Sequence, residues 1–315
     1  MIRLEHPDEK CLLIDSASLY FRAFFGVPPE TNRDGGPPNN ALRGFLDMLA
    51  SLVERYQPTH LVACWDDDWR PAFRVEAIPT YKAHRVAEGG GPEREAVDPA
   101  LELQVPAIVD ALAAVGIARV GAAGYEADDV MGSYAHASTG VRPVDVVTGD
   151  RDLFQLVDDR HGIRVVYTAR GGVRDPDLVD EAFLKAKYDV ASGRAYADLA
   201  TLRGDASDGL PGVPGIGEKT AAKLLAAYGD LAGLRAAIDG GDPALKGAQR
   251  ARLEAASDYL DVAPRVVAVA RDVPLPDIDL ALPVRVADAR LLSEVATTYG
   301  VTSSLDRLLT ALRID

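Results

Sequence analysis

Cysteine is nearly missing from this chain. Its 315 residues include two, too few for the disulfide framework of a small secreted domain or for a Cys-rich zinc ribbon. Cys11 and Cys64 both lie in apolar, strand-like segments and read as buried, reduced thiols. Histidine is scarce as well, five in all, with no spacing that suits zinc. No apolar run approaches the roughly 18–20 residues that a membrane helix needs, so no membrane partner is expected. The N-terminus, MIRLEHPDEK, lacks the apolar stretch of a secretory signal, and a cytoplasmic location is expected. Basic residues are outnumbered, 34 Lys and Arg against 48 Asp and Glu, for a net charge of −14. Taken alone, that deficit argues against a nucleic-acid partner, because phosphate binding wants a basic face. Net charge is only a sum, however. A tight acidic cluster neutralised by divalent ions coexists with a local basic patch.

What is present is a globular composition, 48% hydrophobic and 6% aromatic, long enough for one large α/β domain or two modest ones. Three short apolar runs, CLLID (11–15), HLVACWD (60–66) and VDVVTGD (144–150), each end in a carboxylate. They read as buried strands of a parallel sheet. Helical patterns over about 39–56, 100–115 and 126–137 lie between them, and this alternation predicts an α/β domain with a mostly parallel sheet flanked by helices. Sites in such sheets form outside the carboxyl ends of the strands, so three strands deliver Asp to one edge. Residues 27–40 and 86–99, rich in Pro and Gly, read as connections. Beyond about residue 192 the pattern turns helical. An extended return is expected over 264–280 and a last helix over about 287–298. The expected division is an α/β core over 1–191, a helical subdomain over 192–262 and a C-terminal return over 263–315 that packs on the core.

The carboxylates form a pattern. GYEADDVM crowds Glu126, Asp128 and Asp129 into the first turn of a helix, and TGDRD places Asp150 and Asp152 two apart just after a strand. With Asp15 and either Asp66 or Asp67, they gather more negative charge at one sheet edge than can ionise cheaply without a counter-charge. Each motif alone is compatible with helix capping. Their coincidence in four segments points to divalent ions, and hard oxygen ligands suit Mg²⁺ or Mn²⁺. Two such ions would orient a phosphodiester and lower the pKa of a water.

Residues 202–229 contain GVPGIGEKTA, which has the form of a helix–hairpin–helix: a tight turn through Gly215 and Gly217, then a helix from near Glu218. Glycines let the backbone approach a phosphate, and the free N–H groups of the helix start, with Thr220 there, point at it. Lys219 and Lys223, one turn apart, add positive charge. Such a hairpin grips a duplex backbone without reading bases. Just upstream, Asp205 and Asp208 in GDASDG would complete the acidic site. WRPAFRVEAIPTYKAHR (69–85) supplies Arg70, Arg74, Lys82, His84 and Arg85 beside it, a local basic run for positioning phosphates. Tyr81 is a candidate for stacking on a base, and Arg22 for facing the site.

In chain order, LLIDSASLYFRAFF, FRVEAIPTYKAHR, GYEADDVMG, VVTGDRDLFQLV and GDASDGLPGVPGIGEKTA resemble the 5′-nuclease (flap endonuclease) family. The match is to its bacterial branch, which includes the 5′-nuclease domain of DNA polymerase I, and covers about residues 10–280. The resemblance implies a PIN-like 5′-nuclease core with a helix–three-turn–helix subdomain. It also implies a two-metal hydrolase for branched or nicked duplex DNA with a 5′ end or flap, nucleoid-associated and serving replication and repair. Asp15, Glu126, Asp128, Asp129, Asp150, Asp152, Asp205 and Asp208 match the family's acidic residues. The acidic residue of the second strand is Asp66 by the strand end and Asp67 by counting back from Arg74. Lys82 and Arg85 match basic positions that steer the scissile phosphate. A potassium ion at the hairpin is implied, with Val213 and Ile216 as the nearest carbonyl donors. The family's arch falls at about 74–100, where AEGGGPERE disfavours a stable helix; a short, mobile or DNA-ordered arch is expected. A monomer is expected. Three other functions compete. A related ribonuclease fits the acidic site but not the hairpin. A branch-binding protein with an idle site would need a lost acidic motif. A phosphatase would need Asp-x-Asp after the first strand, where Asp15-Ser16-Ala17 stands.

Overall fold

A computed structural model describes residues 4–29, 36–89, 91 and 94–314. Among these described residues six strands form one sheet: β1 (Cys11–Asp15), β2 (His60–Cys64), β3 (Ala118–Val120), β4 (Val144–Thr148), β5 (Ile163–Gly171) and β6 (Asp175–Val179). The spatial order is β3-β2-β1-β4-β5-β6; β6 alone runs antiparallel to its neighbour. The first strand is buried along its whole length, as a central parallel strand covered on both faces must be. Its side chains alternate. Cys11 and Leu13 join one core with Val146 and Val165, while Leu12 and Ile14 join a second core on the other face with Val147 and Val166.

Helices cover both faces. The N-terminal half supplies α1 (Ser16–Gly26), α2 (Asn40–Tyr56), α3 (Ala72–Ala77), α4 (Pro99–Glu102), α5 (Val105–Val115) and α6 (Ala127–Ala137). Then come α7 (Glu181–Tyr188), α8 (Gly193–Arg203), α9 (Glu218–Tyr228), α10 (Leu231–Asp239), α11 (Gly247–Ala255), α12 (Ser257–Val267), α13 (Ala289–Tyr299) and α14 (Thr302–Leu312). The expected helix over 100–115 is broken. Gln104, fully buried, accepts the N–H groups of Ala41 and Leu42 at the start of α2, and Pro106 restarts the chain as α5. That cap ties the start of α2 to the break between α4 and α5, answering two N–H groups that α2 leaves free at its first turn.

The C-terminal part departs further from expectation. Residues 264–267 belong to α12, whose buried Leu260, Ala263, Val266 and Val267 outweigh Pro264 in its last turn. The segment beyond is extended without being a strand, apart from an isolated bridge between Ala281 and His60. The last helix is followed by another, α14, after Gly300 turns the chain at φ 66°. Leu305, Leu308 and Leu312 seat α14 in the core that contains α2. In the arch region the described residues form a short antiparallel pairing: Ala87 donates to Arg94, Ala96 donates to Arg85, and Val86 bridges Glu95. Residues 90, 92 and 93 of AEGGGPERE lie outside the described residues.

Candidate active site

The strand order reverses direction on either side of β1, so the crevice between the carboxyl ends of β1 and β4 is where an α/β sheet opens. A hollow of about 530 Å³ lies there. Asp15 ends β1 and caps α1, accepting Ser18 N–H at 2.9 Å and the Thr148 hydroxyl at 2.7 Å. Burial pushes its carboxyl up to about 7 despite those bonds, and the charges of Asp66 and Asp150 add to the rise. Asp150 follows β4 and caps the short helical turn Arg151–Leu156 through Asp152 N–H at 2.8 Å. It is exposed and lines the hollow, and its pKa is raised by burial and by Asp208. Asp128, on the first turn of α6, is raised well above the usual carboxylate range by burial, then by Asp150 and Asp15. Asp66 enters from the end of β2 and receives Ala127 N–H at 2.8 Å.

Glu126 caps α6 in a capping box with Asp129. Its carboxylate takes the Tyr81 hydroxyl at 2.9 Å and Lys82 Nζ at 2.9 Å. Burial raises its pKa to about 7 against the pull of Lys82 and Arg74. Burial alone would lower the Lys82 pKa, but Glu126 more than reverses this, so the ammonium stays charged. From the hairpin side, Asp205 bonds Arg151 at 2.8 Å, and Asp208 bonds Arg85 at 2.8 Å. Burial would raise the Asp205 carboxyl; its bonds from Ser207 and Arg151 win and hold it low. Asp152 is pushed well up by burial, then by Asp150, Asp208 and Asp205, and its Oδ1 is buried without a hydrogen-bond partner.

The loop with Asp205 and Asp208 is pinned to the basic segment. Lys82 N–H donates to the Asp208 carbonyl at 2.9 Å, and the Thr80 hydroxyl to the Gly209 carbonyl at 2.8 Å. Gly209 has φ 70°, and a Cβ there would lie 2.1 Å from the Thr80 oxygen; only glycine allows the approach. Farther along, Gly217 caps α9, Gly215 turns at φ 73°, and Lys219 and Lys223 are exposed, with Thr220 half-buried. The side chains of Val213 and Ile216 are buried, and the Val213 carbonyl accepts Ile216 N–H at 2.9 Å.

Several sequence expectations need correction. Asp129 faces away from the hollow: Arg74 holds both its oxygens, at 2.6 and 2.7 Å, and Ala270 N–H adds a third bond. Arg74 is 2% exposed and also bonds the Val266 carbonyl, so this pair ties α6 to the C-terminal return, and neither residue lines the hollow. Tyr81, 3% exposed, spends its hydroxyl on Glu126 and offers no face for stacking. Of the two carboxylates after β2, Asp66 lines the hollow, whereas Asp67 is exposed and paired with Arg119. Arg70 bonds the carbonyls of Tyr81 and Pro79, and Arg22 those of Thr168 and Ala169. Both brace backbone instead of facing the hollow.

Four contributors escaped sequence reasoning. Arg151 stands inside the TGDRD motif, where its charge was a readable signal; Ser207 sits between two motif aspartates. Glu95 reaches the hollow only through the short pairing at 86–96, and Arg203 comes beside it, 3.8 Å from Asp152 and Asp205, only because α8 ends there. Among the described residues no three Asp, Glu, His or Cys side chains form a ready-made metal cage. Lys82, Arg85 and Arg151 hold three of the carboxylates instead. The donor set still fits hard divalent cations: all-oxygen ligands, mutual repulsion, and an orphaned Asp152 oxygen.

Comparison with known proteins gives one pattern. The family model "5′-3′ exonuclease, N-terminal resolvase-like domain" matches residues 10–189, and "5′-3′ exonuclease, C-terminal SAM fold" matches 191–289. A Streptomyces coelicolor protein named 5′-3′ exonuclease is 59% identical over 303 residues, covering 96% of this chain and 99% of the relative. A Mycobacterium tuberculosis protein of the same name is 47% identical over 310 residues, 96% and 97% of the two chains. Among solved structures, the T5 5′-exonuclease with bound zinc ions superimposes with a TM-score of 0.60 at 18% identity, covering 97% and 98%. The catalytic core of Rad2 in complex with a DNA substrate gives 0.57 at 16%, covering 99% and 95%. At such identities the likeness is one of fold.

Proposed function

The chain belongs to the 5′-3′ exonuclease family, and from that premise we propose that it is a metal-dependent, structure-specific 5′ nuclease. It hydrolyses DNA phosphodiesters as a 5′ flap endonuclease and 5′-3′ exonuclease in replication and repair. The observation that carries this reading is the meeting, in one hollow, of carboxylates from the ends of β1, β2 and β4 and the start of α6 with the basic segment.

Asp15, Asp66, Glu126, Asp128 and Asp150 form the group that would hold one divalent ion, Mg²⁺ or Mn²⁺. Asp152, Asp205 and Asp208 form a second group from the hairpin side. When bound, such ions lower the pKa of a water and stabilise charge on the reacting phosphate. The chain's own part is positioning. Lys82 and Arg85 line the hollow as counter-charges that can turn from carboxylate to phosphate. The backbone at Gly215 and Gly217, with Lys219, Thr220 and Lys223, grips the duplex backbone. A potassium ion there would take carbonyls of Val213 and Ile216. No side chain is required as a covalent nucleophile. The partner is branched or nicked duplex DNA, and the protein acts as a monomer at the nucleoid.

The test is incubation with a 5′-labelled flap duplex, with Mg²⁺ or Mn²⁺ and then chelator, alongside Asp150→Ala. Metal-dependent incision near the branch, lost in the variant, is expected. Tight binding without incision under either metal would replace the reading with a branch-binding protein.

A further inference from the structure

Arg203 is the last residue of α8, and Gly204 after it, at φ 75°, turns the chain into the loop that carries Asp205 and Asp208. Its guanidinium is steered by Tyr196 two turns earlier, donating to the tyrosine hydroxyl at 3.4 Å, while Nε donates to the Gly204 carbonyl at 3.1 Å. The charged end then reaches two ways. Nη1 lies 3.7 Å from Glu218 Oε2, on the first turn of α9. Nη2 lies 3.8 Å from Asp152 Oδ1 and 3.8 Å from Asp205 Oδ2. Among the described residues, Arg203 is the side chain with ion pairs both to the acidic hollow and to α9.

None of these three contacts is a hydrogen bond, which would need about 2.8 Å. Nη2 of Arg203 and Oδ1 of Asp152 are both buried, and neither has a hydrogen-bond partner among the described residues. Two opposite charges left short of contact are costly, and a small movement would satisfy both. Glu218 Oε2 lies on the other side of the guanidinium, 3.7 Å from Nη1. The Glu218 side chain is 39% exposed and sits on the first turn of α9, where a duplex phosphate would dock.

We propose that Arg203 is a positioning residue that couples the grip on DNA to the acidic site. A backbone phosphate at the start of α9 repels Glu218, which releases the guanidinium. The guanidinium then closes on Asp152 and Asp205, holding the two carboxylates side by side with their remaining oxygens free for divalent ions. This rests on the proposed function, in which the hairpin grips duplex and the carboxylates hold ions.

The test is the Ca²⁺ dissociation constant of the full chain by calorimetry, without DNA and with a saturating 5′-flap duplex. A titration of the duplex alone is subtracted, and a gel checks that the DNA stays uncut. In the wild type, DNA should tighten Ca²⁺ binding at least about fivefold, the lower end of usual coupling between sites. Arg203→Met should reduce that gain below about twofold. Arg203→Lys should fall between, since an ammonium cannot bridge two carboxylates with a planar fork. Glu218→Gln should tighten Ca²⁺ binding already in the DNA-free protein, towards the DNA-bound wild-type value. The inference is overturned if Arg203→Met keeps the full gain, or if Glu218→Gln leaves the DNA-free constant at wild type. Should Arg203→Met fail to fold, the Glu218→Gln result decides alone. A wild type that binds neither flap duplex nor Ca²⁺ would sink the functional reading itself.

Discussion

At the scale of single residues, neighbouring acids have opposite fates. Asp66 and Asp67 are adjacent, yet one lines the hollow and the other pairs with Arg119. Asp66→Asn should cost at least about 100-fold in incision, beyond what loss of an outer-sphere partner usually costs. Asp67→Asn should stay within a few-fold of wild type on the same flap substrate. Equal losses would show that Asp67 swings into the site. The chain's composition did not distinguish them; the side on which β3 and Arg119 lie did. The same holds for Asp129, whose motif position marked it as a ligand. No local signal announced that Arg74, 55 residues earlier, would claim it, because that contact depends on how α3 and α12 pack. The protonation of the cluster makes a second prediction. Folded-state values near 7 for Asp15 and Glu126 lie above their ordinary 3.8 and 4.5. The metal-free native state therefore binds more protons than the unfolded chain between about pH 4 and 7, so its stability falls as pH rises through that window. Melting curves in chelator at pH 5 and pH 8 should show the decline, and Mg²⁺ should reduce it. Unchanged melting across the window would mean that the basic side chains already neutralise the cluster.

At the scale of elements, two glycines of the hairpin region serve different ends. Gly209 is required by the fold: left-handed backbone and a 2.1 Å approach to Thr80 forbid a side chain. Gly209→Ala should destabilise by about 1–3 kcal/mol and slow incision, because the loop with Asp205 and Asp208 is displaced from Lys82. Gly217, at φ −89°, has nothing within 4 Å of an added Cβ. Gly217→Ala should leave the melting temperature unchanged and weaken binding of labelled duplex, read by anisotropy. If Gly217→Ala instead unfolds the chain and leaves binding intact, the open space at Gly217 is not where phosphate approaches. The strands β1, β2 and β4, the hairpin and the helices α2 and α6 were legible because they rest on local pattern: short apolar runs, Gly-Pro punctuation, capping residues; β3, β5 and β6 were not read as strands. The break at Gln104 and the second C-terminal helix were not legible either, since one depends on a distant helix start and the other on α2 offering a face to cover.

At the scale of the whole molecule, the sheet separates two cores with different neighbours. One packs against α6, α8, α9 and α12, beneath the hollow and the hairpin; the other packs against α2, α5, α13 and α14. Leu308, fully buried, belongs to the second. Leu308→Ala should cost about 2–5 kcal/mol by urea unfolding, with flap incision at low temperature close to wild type. A comparable loss of incision in fully folded protein would mean that the far core sets the geometry of the hollow. The net charge of −14 is likewise a property of the whole that misleads about a part. The acids that raise it most densely are those facing Lys82, Arg85 and Arg151.

Capping duty has a consequence for how such a chain can drift. Asp15 starts α1 and Asp150 starts the turn after β4, so a lineage that no longer needs to cut DNA still needs both to fold. Asp152 caps nothing and keeps one buried oxygen unanswered; once hydrolysis is no longer selected, its loss is a relief. Descendants that bind branched DNA without cutting it should therefore have shed Asp152 first and kept Asp15, leaving an acidic remnant that is a fossil of folding rather than of catalysis.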